Sequence, residues 1–259
     1  MSGHSKWSTI KRAKGAADIK RGLTFTKIAN AITIAAKLGG SGDSDSNPRL
    51  RLAMEEAKTV NMPKDNIQRA IDRGLGKLPG QVLEEVLYEG FGPEKVAFIV
   101  EGVTDNKMRT LQGVKNLFER SGGSLAQVGA VSYMFDHLGE LKIVSKGGSR
   151  NDEMLELIDL GAEDVEEFLE ENLPVSRQGI QKYIVYVQSP ELNTMSIKIT
   201  QAGYGLESQG LVFKPNILVE INNKESVQKV LEFAEKLEEL DDVQKVHANF
   251  DISDETLAH

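Results

Sequence analysis

The stretch QKYIVYVQSPELNTMSIKITQAG, residues 181–203, decides the fold. "YIVYVQ" concentrates β-branched and aromatic residues between polar ones, which predicts a strand. Ser189-Pro190 opens a helix, because proline at the first helical position lacks only an N–H that has no partner there anyway. Leu192, Met195, Ile199 and Ala202 recur at helical spacing, and Gly203 stops the helix. Working outward, "GELKIVS" (139–145) and "VEEFLE" (165–170) read as strands around a helix over 151–160 that ends at Gly161, and "GLVF" (210–213) is the last strand. Residues 137–213 thus read strand–helix–strand–strand–helix–strand, the ferredoxin-like plan.

The flanks give a similar plan once that block is removed. "VLYEGFGPEKVAFIVEGV" (86–103) holds two strand-like runs around a Gly-Pro turn, followed by a helix over 107–120 with Leu111, Val114 and Leu117 inward. "AVSYMFD" (130–136) alternates as a strand, "ILVEI" (217–221) is another, Val227, Val230, Leu231, Ala234 and Leu237 mark a helix, and "VQKVHANF" (243–250) closes as a strand. Before residue 80 the chain reads as helix throughout. Ser8 caps a helix to about Arg21 that Gly22 interrupts. Phe25, Ile28, Ala29, Ile32, Ala35 and Ala36 form an apolar stripe up to Gly39-Gly40, and "SGDSDSNP" (41–48) is a loop. Asn47 then caps a helix carrying Leu50, Ala53, Met54 and Ala57, and a fourth helix from near Pro63 buries Ile67, Ala70 and Ile71 before Gly74. The expected fold is α+β and multi-domain, a helical N-terminal domain plus two α/β ferredoxin-like domains, one inserted in the other. The expected boundaries are 1–79 for a basic helical domain, 80–136 with 214–252 for a discontinuous α/β domain, 137–213 for an inserted acidic α/β domain, and 253–259 for a C-terminal tail.

A chain of 259 residues exceeds the usual single-domain size, and 40% hydrophobic content supplies real cores. It has no cysteine, so disulfides, thiolate metal sites and cysteine nucleophiles are out, and a reducing cytoplasm is the expected location. No apolar run reaches the roughly 18 residues of a membrane span, and the start lacks the apolar core of a secretory signal. The formal charge is −8, unevenly divided: residues 1–77 hold 15 Lys and Arg against 7 Asp and Glu, while residues 78–259 hold 16 against 32. Such asymmetry speaks to partners rather than to fold.

Catalytic and metal chemistry finds little support. His4, His137, His247 and His259 are far apart, no HExxH or P-loop occurs, and the acidic cluster Glu166, Glu167, Glu170 and Glu171 reads as a solvated face. "DSDSN" (43–47) imitates a calcium loop but has Pro48 where glycine is required and Met54 at the bidentate position, so a capping loop explains it better. No cofactor, metal or small-molecule substrate is expected. The basic residues of the first segment remain. Lys6, Lys11, Arg12, Lys14, Lys20, Arg21 and Lys27, with His4 and Trp7, form a cationic arm suited to phosphates. Trp7 either stacks on a base or packs as a hydrophobic staple. Arg49 and Arg51 sit at a helix start, where cations oppose the dipole, so a partner is their expected use. Lys64, Arg69 and Arg73 extend the set; the competing use of the two arginines is pairing with Asp65 and Asp72.

"GHSKW" (3–7), "KRG" (20–22), "FTKI" (25–28), "AAKLGG" (35–40), "NPRLR" (47–51), "NMPKDNIQRAIDRG" (61–74), "YEGFGP" (88–93), "TDNKMRT" (104–110), "GGSL" (122–125), "GAED" (161–164) and "DDVQKVHAN" (241–249) resemble the YebC/PmpR family nearly end to end. That family has as relatives the mitochondrial translational activator of cytochrome oxidase subunit I. The resemblance implies three cytoplasmic domains, no enzymatic activity and a DNA-binding transcriptional regulator. The alternative it implies is a translation factor that binds ribosomal RNA and relieves ribosomes stalled at proline-rich stretches. A protein-interaction module, with the arm docking an acidic partner, is a third class.

Overall fold

The computed structural model describes residues 19–168 and 181–252, with side chains described over 23–167 and 181–252. The expected helix capped by Ser8, the residues Glu170 and Glu171, and the C-terminal tail lie outside the described residues. The chain is α+β and multi-domain, with helices alone at first, then two α/β parts, one inserted in the other. Among the described residues there are seven α-helices and ten strands. They form two compact units, one of Phe135–Glu220 with Asn249–Ile252, the other of residues 19–134 with Ile221–Ala248.

In the first of these units, β4 (Phe135–Val144), α5 (Arg150–Asp159), β5 (Asp164–Phe168), β6 (Lys182–Gln188), α6 (Leu192–Gln201) and β7 (Gly205–Pro215) follow in order. The sheet runs β5–β6–β4–β7, antiparallel throughout, as the strand–helix–strand–strand–helix–strand reading requires. Both helices cover one face. The Tyr183 hydroxyl donates to the buried Glu153 carboxylate of α5 at 2.9 Å, and Leu192 of α6 packs against Gly139. Strand alternation sends Glu140, Asp164, Glu166 and Tyr186 to the other face. Glu166, expected on a solvated surface, is buried there and pairs with Lys214 at 3.0 Å, while Lys214 lies 3.8 Å above the Tyr186 ring. A carboxylate in the interior of a sheet face needs such a cation, since burial alone would force it neutral.

The second unit holds β1 (Glu84–Phe91), β2 (Ala97–Thr104), β3 (Ser124–Ala126) and β9 (Val243–Ala248) in the antiparallel order β3–β1–β2–β9. Helices α4 (Lys107–Arg120) and α7 (Lys224–Glu238) meet β2 through Phe118, Phe233 and Phe98, three edge-to-face rings with centroids 4.9 to 6.3 Å apart. A two-stranded ribbon of β8 (Val219–Ile221) with β10 (Phe250–Ile252), which but for Ile221 belongs to the first unit, completes the strands. Residues 19–74 contribute α1 (Ile19–Gly39), α2 (Pro48–Thr59) and α3 (Lys64–Gly74), packed through Ile28, Ile32, Ala36, Leu50, Ala57 and Ile71. Gly22 does not interrupt a helix: α1 runs through it. One glycine costs a helix about 1 kcal/mol, less than the apolar burial along the rest of α1 returns. Asn47 caps α2 by accepting from the Leu50 N–H at 3.1 Å, and its amide donates to the Ala35 carbonyl at 2.9 Å, which locks the end of α1 to the start of α2.

Two further expectations are corrected. "AVSYMFD" is not a strand along its length: Ser132–Met134 form a 3₁₀ turn and the strand starts at Phe135. The cause is Glu89 in β1. Its carboxylate accepts from the N–H groups of Gly129 and Val131, each at 2.8 Å, and of Ser132 at 3.0 Å, so these amides are not available to a ladder. In α4 the buried residues are Thr110, Val114 and Phe118, with Leu111 and Leu117 half-buried. Thr110 goes inward because its hydroxyl has polar partners there, Thr104 at 2.8 Å and Asp242 at 2.6 Å.

Phe233→Ala opens a cavity among the three rings and should cost about 3–5 kcal/mol, read as a lower chemical-denaturation midpoint. Burial pushes the Glu89 carboxyl up, but its three backbone N–H bonds outweigh this and hold it below the ordinary value of 4.5. Its contribution to stability is therefore complete above pH 4.5 and lost as pH falls through the lowered value. Glu89→Gln should destabilise the protein at neutral pH by about 2–3 kcal/mol and flatten the acid limb of a stability-versus-pH curve.

Candidate nucleic-acid interface

The expected basic residues are used in different ways. His4, Lys6, Trp7, Lys11, Arg12 and Lys14 lie outside the described residues. Lys20 and Arg21 belong to the first turn of α1, with side chains not described. Lys27 donates to the Glu238 carbonyl at the end of α7. Arg51 donates to the Ser44 and Asp45 carbonyls at 3.1 and 3.0 Å, so its guanidinium holds the 41–46 loop. Arg49 forms an exposed ion pair with Glu85. Cations at this helix start are thus matched by oxygens of the chain itself.

Helix α3 is different. Lys64, Arg69 and Arg73 are exposed, and none of their side chains has a hydrogen-bond or ion-pair partner among the described residues. The expected competitor, Asp72, takes Gln68 at 3.1 Å and Lys77 at 3.6 Å instead. Asn66, Arg69 and Arg73 are spaced i, i+3, i+7, which puts them on one stripe of the helix. That stripe borders a groove of about 260 Å³ whose floor is Phe25 and Ala29 of α1 with Met62. The two helices approach closely because position 74 is glycine: a Cβ there would stand 2.3 Å from the Thr33 carbonyl oxygen. Thr33 completes the crossing by donating to the Ala70 carbonyl at 3.1 Å.

The groove continues into a larger cleft of about 520 Å³, and Thr26 and Arg73 line both. The cleft is lined by Asn30 of α1 and by Gly80, Gln81 and Leu83 of the segment that leads into β1. Gly80 lies close under the Arg73 stem: a Cβ there would stand 2.9 Å from both its Cγ and Cδ, so the side chain would have to shift. Asp105, Arg109, Asp241 and Asp242 complete the lining. Arg109 donates to Asp105 at 2.6 Å and to Asp242 at 2.9 Å, and these carboxylates, Asp242 the more strongly, push its pKa up from the ordinary arginine value. Asp241 is exposed and has no side-chain partner among the described residues.

Arg69 and Arg73 stand one turn apart on α3, as their spacing predicts, and Asn30, Asn66, Gln81 and Asp241 line the grooves without being among the expected residues. The i, i+3, i+7 spacing of Asn66 with the arginines was a signal that could have found the first of these on α3. Nothing local marks Gln81, whose place in the lining depends on tertiary packing. Each described histidine has partners in its own unit: His247 in β9 meets Glu101 at 2.7 Å, and His137 in β4 lies beside Ser189 and Phe213. No helix among the described residues is long and apolar enough to cross a membrane.

Comparison with known proteins agrees with this architecture. The family description "TACO1/YebC protein N-terminal domain" matches residues 5–77, and "TACO1/YebC second and third domain" matches residues 83–250. A probable transcriptional regulatory protein of Desulfotalea psychrophila is 43% identical over 258 residues, covering 99% of this chain and 98% of its own. One of Leptospira biflexa is 44% identical over 256 residues, covering 98% of each. Among solved structures, a conserved hypothetical protein of Aquifex aeolicus is similar with a TM-score of 0.80 and 40% identity, over 94% of this chain and 96% of its own. With family descriptions that together span most of its length, and relatives alike from end to end, the chain belongs to the TACO1/YebC family.

Proposed function

We propose that this protein is a nucleic-acid-binding regulator of transcription, with α3 and the basic segment leading into α1 as its phosphate-gripping face. The observation that carries the reading is the state of Arg69 and Arg73, two exposed guanidinium groups one turn apart that border a groove and have no acceptor among the described residues. Guanidinium groups recognise phosphate oxygens through paired N–H donors, and such contacts dominate nucleic-acid affinity. The names of the relatives, probable transcriptional regulatory proteins, support regulation of transcription as the biological role.

The inserted sheet supports the same division of labour. Its face away from the helices carries Glu140, Asp164 and Glu166, and the lysines beside them are paired: Lys142 with Glu140 at 3.4 Å, Lys182 with Glu207 at 2.6 Å, Lys214 with Asp164 and Glu166. These lysines are committed to carboxylates of their own sheet and are not offered to a polyanion. Within the proposal, residues 1–79 form the binding domain and the later residues the acidic α/β domains, a boundary supported by the gap between the two family descriptions at residues 77 and 83. A cytoplasmic setting, supported by the lack of cysteine, belongs to the same reading. Arm residues from His4 to Arg21 add phosphate contacts beyond those of α3.

Affinity of the full chain for mixed-sequence nucleic acid should fall by about 10³–10⁵-fold between about 50 and 200 mM salt. Replacing both Arg69 and Arg73 by alanine should reduce the slope of log affinity against log salt by about two. Arg49→Ala, which removes a cation already paired with Glu85, should change it far less. A wild-type affinity that hardly responds to salt would contradict the reading.

A further inference from the structure

We propose that the cleft beside Arg73 holds one unpaired nucleotide, its phosphate at Arg73 and its base against Asn30, Gln81 and Asp241. This rests on the nucleic-acid reading above and gives the site a preference that the phosphate contacts lack, for single strands over duplex. Three observations carry it. First, the cleft, at about 520 Å³, has the size of a small-ligand site and is a hollow, where duplex binding asks for a protruding helix or ribbon. Second, the side-chain amides of Asn30 and Gln81 line it with no partner among the described residues, and such amides present the donor–acceptor pairs that read a base edge. Third, its charged lining residues differ in their commitments: Arg73 has no acceptor among the described residues, while Arg109 is held by Asp105 and Asp242, and Asp241 follows them in the lining.

Those commitments set the orientation. Three carboxylates against one guanidinium reject a phosphate beside Arg109 but accept N–H donors. Asp105 and Asp242 are occupied by Arg109, which leaves Asp241 as the open acceptor. Guanine offers two adjacent donors on its Watson–Crick edge, one ring N–H and one amino group, and so matches a carboxylate better than thymine or uracil, which offer one. The base must be unstacked and unpaired for that edge to reach the wall, as in single-stranded recognition generally. Single-stranded DNA and RNA share this chemistry, and the sugar distinguishes the source.

The test uses fluorescence anisotropy with the full chain and labelled strands of about twelve nucleotides, a typical single-strand site size. The strands are oligo-dT, oligo-dT with one central guanine, the same strand with an abasic residue in its place, the corresponding oligo-U pair, and a duplex of equal length. The guanine strand should bind about tenfold tighter than its abasic and all-thymine counterparts and tighter than the duplex. Asp241→Ala and Gln81→Ala should each remove most of that preference while the salt slope stays unchanged, whereas Arg73→Ala should lower the slope for every strand. Deoxyribose and ribose strands compared at equal sequence assign the source. Salt-sensitive binding in which duplex equals single strand, or in which the abasic residue costs nothing, overturns the nucleotide cleft and leaves the phosphate face standing. Absence of salt-sensitive binding to any strand overturns both. Should a variant unfold, the abasic comparison on the unaltered chain still decides.

Discussion

A phosphate-binding surface requires cations that the fold has not already neutralised, and this constraint selects the functional face of the molecule. Arg49, Arg51 and Lys27 look equivalent to Arg69 and Arg73 in a count of charges. The fold separates them: a carboxylate, two loop carbonyls and a helix-end carbonyl hold the first three, while the arginines of α3 face a groove with no internal acceptor. Arg51 is the instructive case. A cation at a helix start is unfavourable toward the dipole, but here it serves the loop that precedes the helix.

The groove itself depends on how closely α1 and α3 pack. Gly74 against the Thr33 carbonyl sets that approach, and Gly80 gives the Arg73 stem its path across the cleft mouth. Both glycines act through absent atoms, so the site is made by backbone proximity as much as by the side chains that line it. The inserted sheet follows the opposite rule. Its described lysines Lys142, Lys182 and Lys214 are spent on its own carboxylates, the buried Glu166 among them.

Much of the fold was legible because each element carried its own punctuation. Asn47-Pro48 marked the start of α2, Gly203 the stop after α6, and the strand–helix order of residues 137–213 predicted a sheet whose observed sequence of strands is β5–β6–β4–β7. The failures came where a distant residue overrode a local pattern. Residues 130–136 alternate like a strand, yet Glu89 gathers the amides of Gly129, Val131 and Ser132 into a turn. Gly22 looks like a break, yet the helix continues through it. Glu166 looks like a surface acid, yet Lys214 makes its burial tolerable. For the candidate site the charges were visible and their commitments were not: no sequence pattern states that Asp72 prefers Lys77 and Gln68 over Arg69 and Arg73.

Hydrogen–deuterium exchange of the full chain, with and without bound nucleic acid, tests the central claim most directly. Protection should appear in α3, in the first half of α1 and in the 79–83 segment, with the sheet of residues 135–215 unchanged. Protection concentrated on that sheet, with α3 exchanging as in the free protein, would contradict the account.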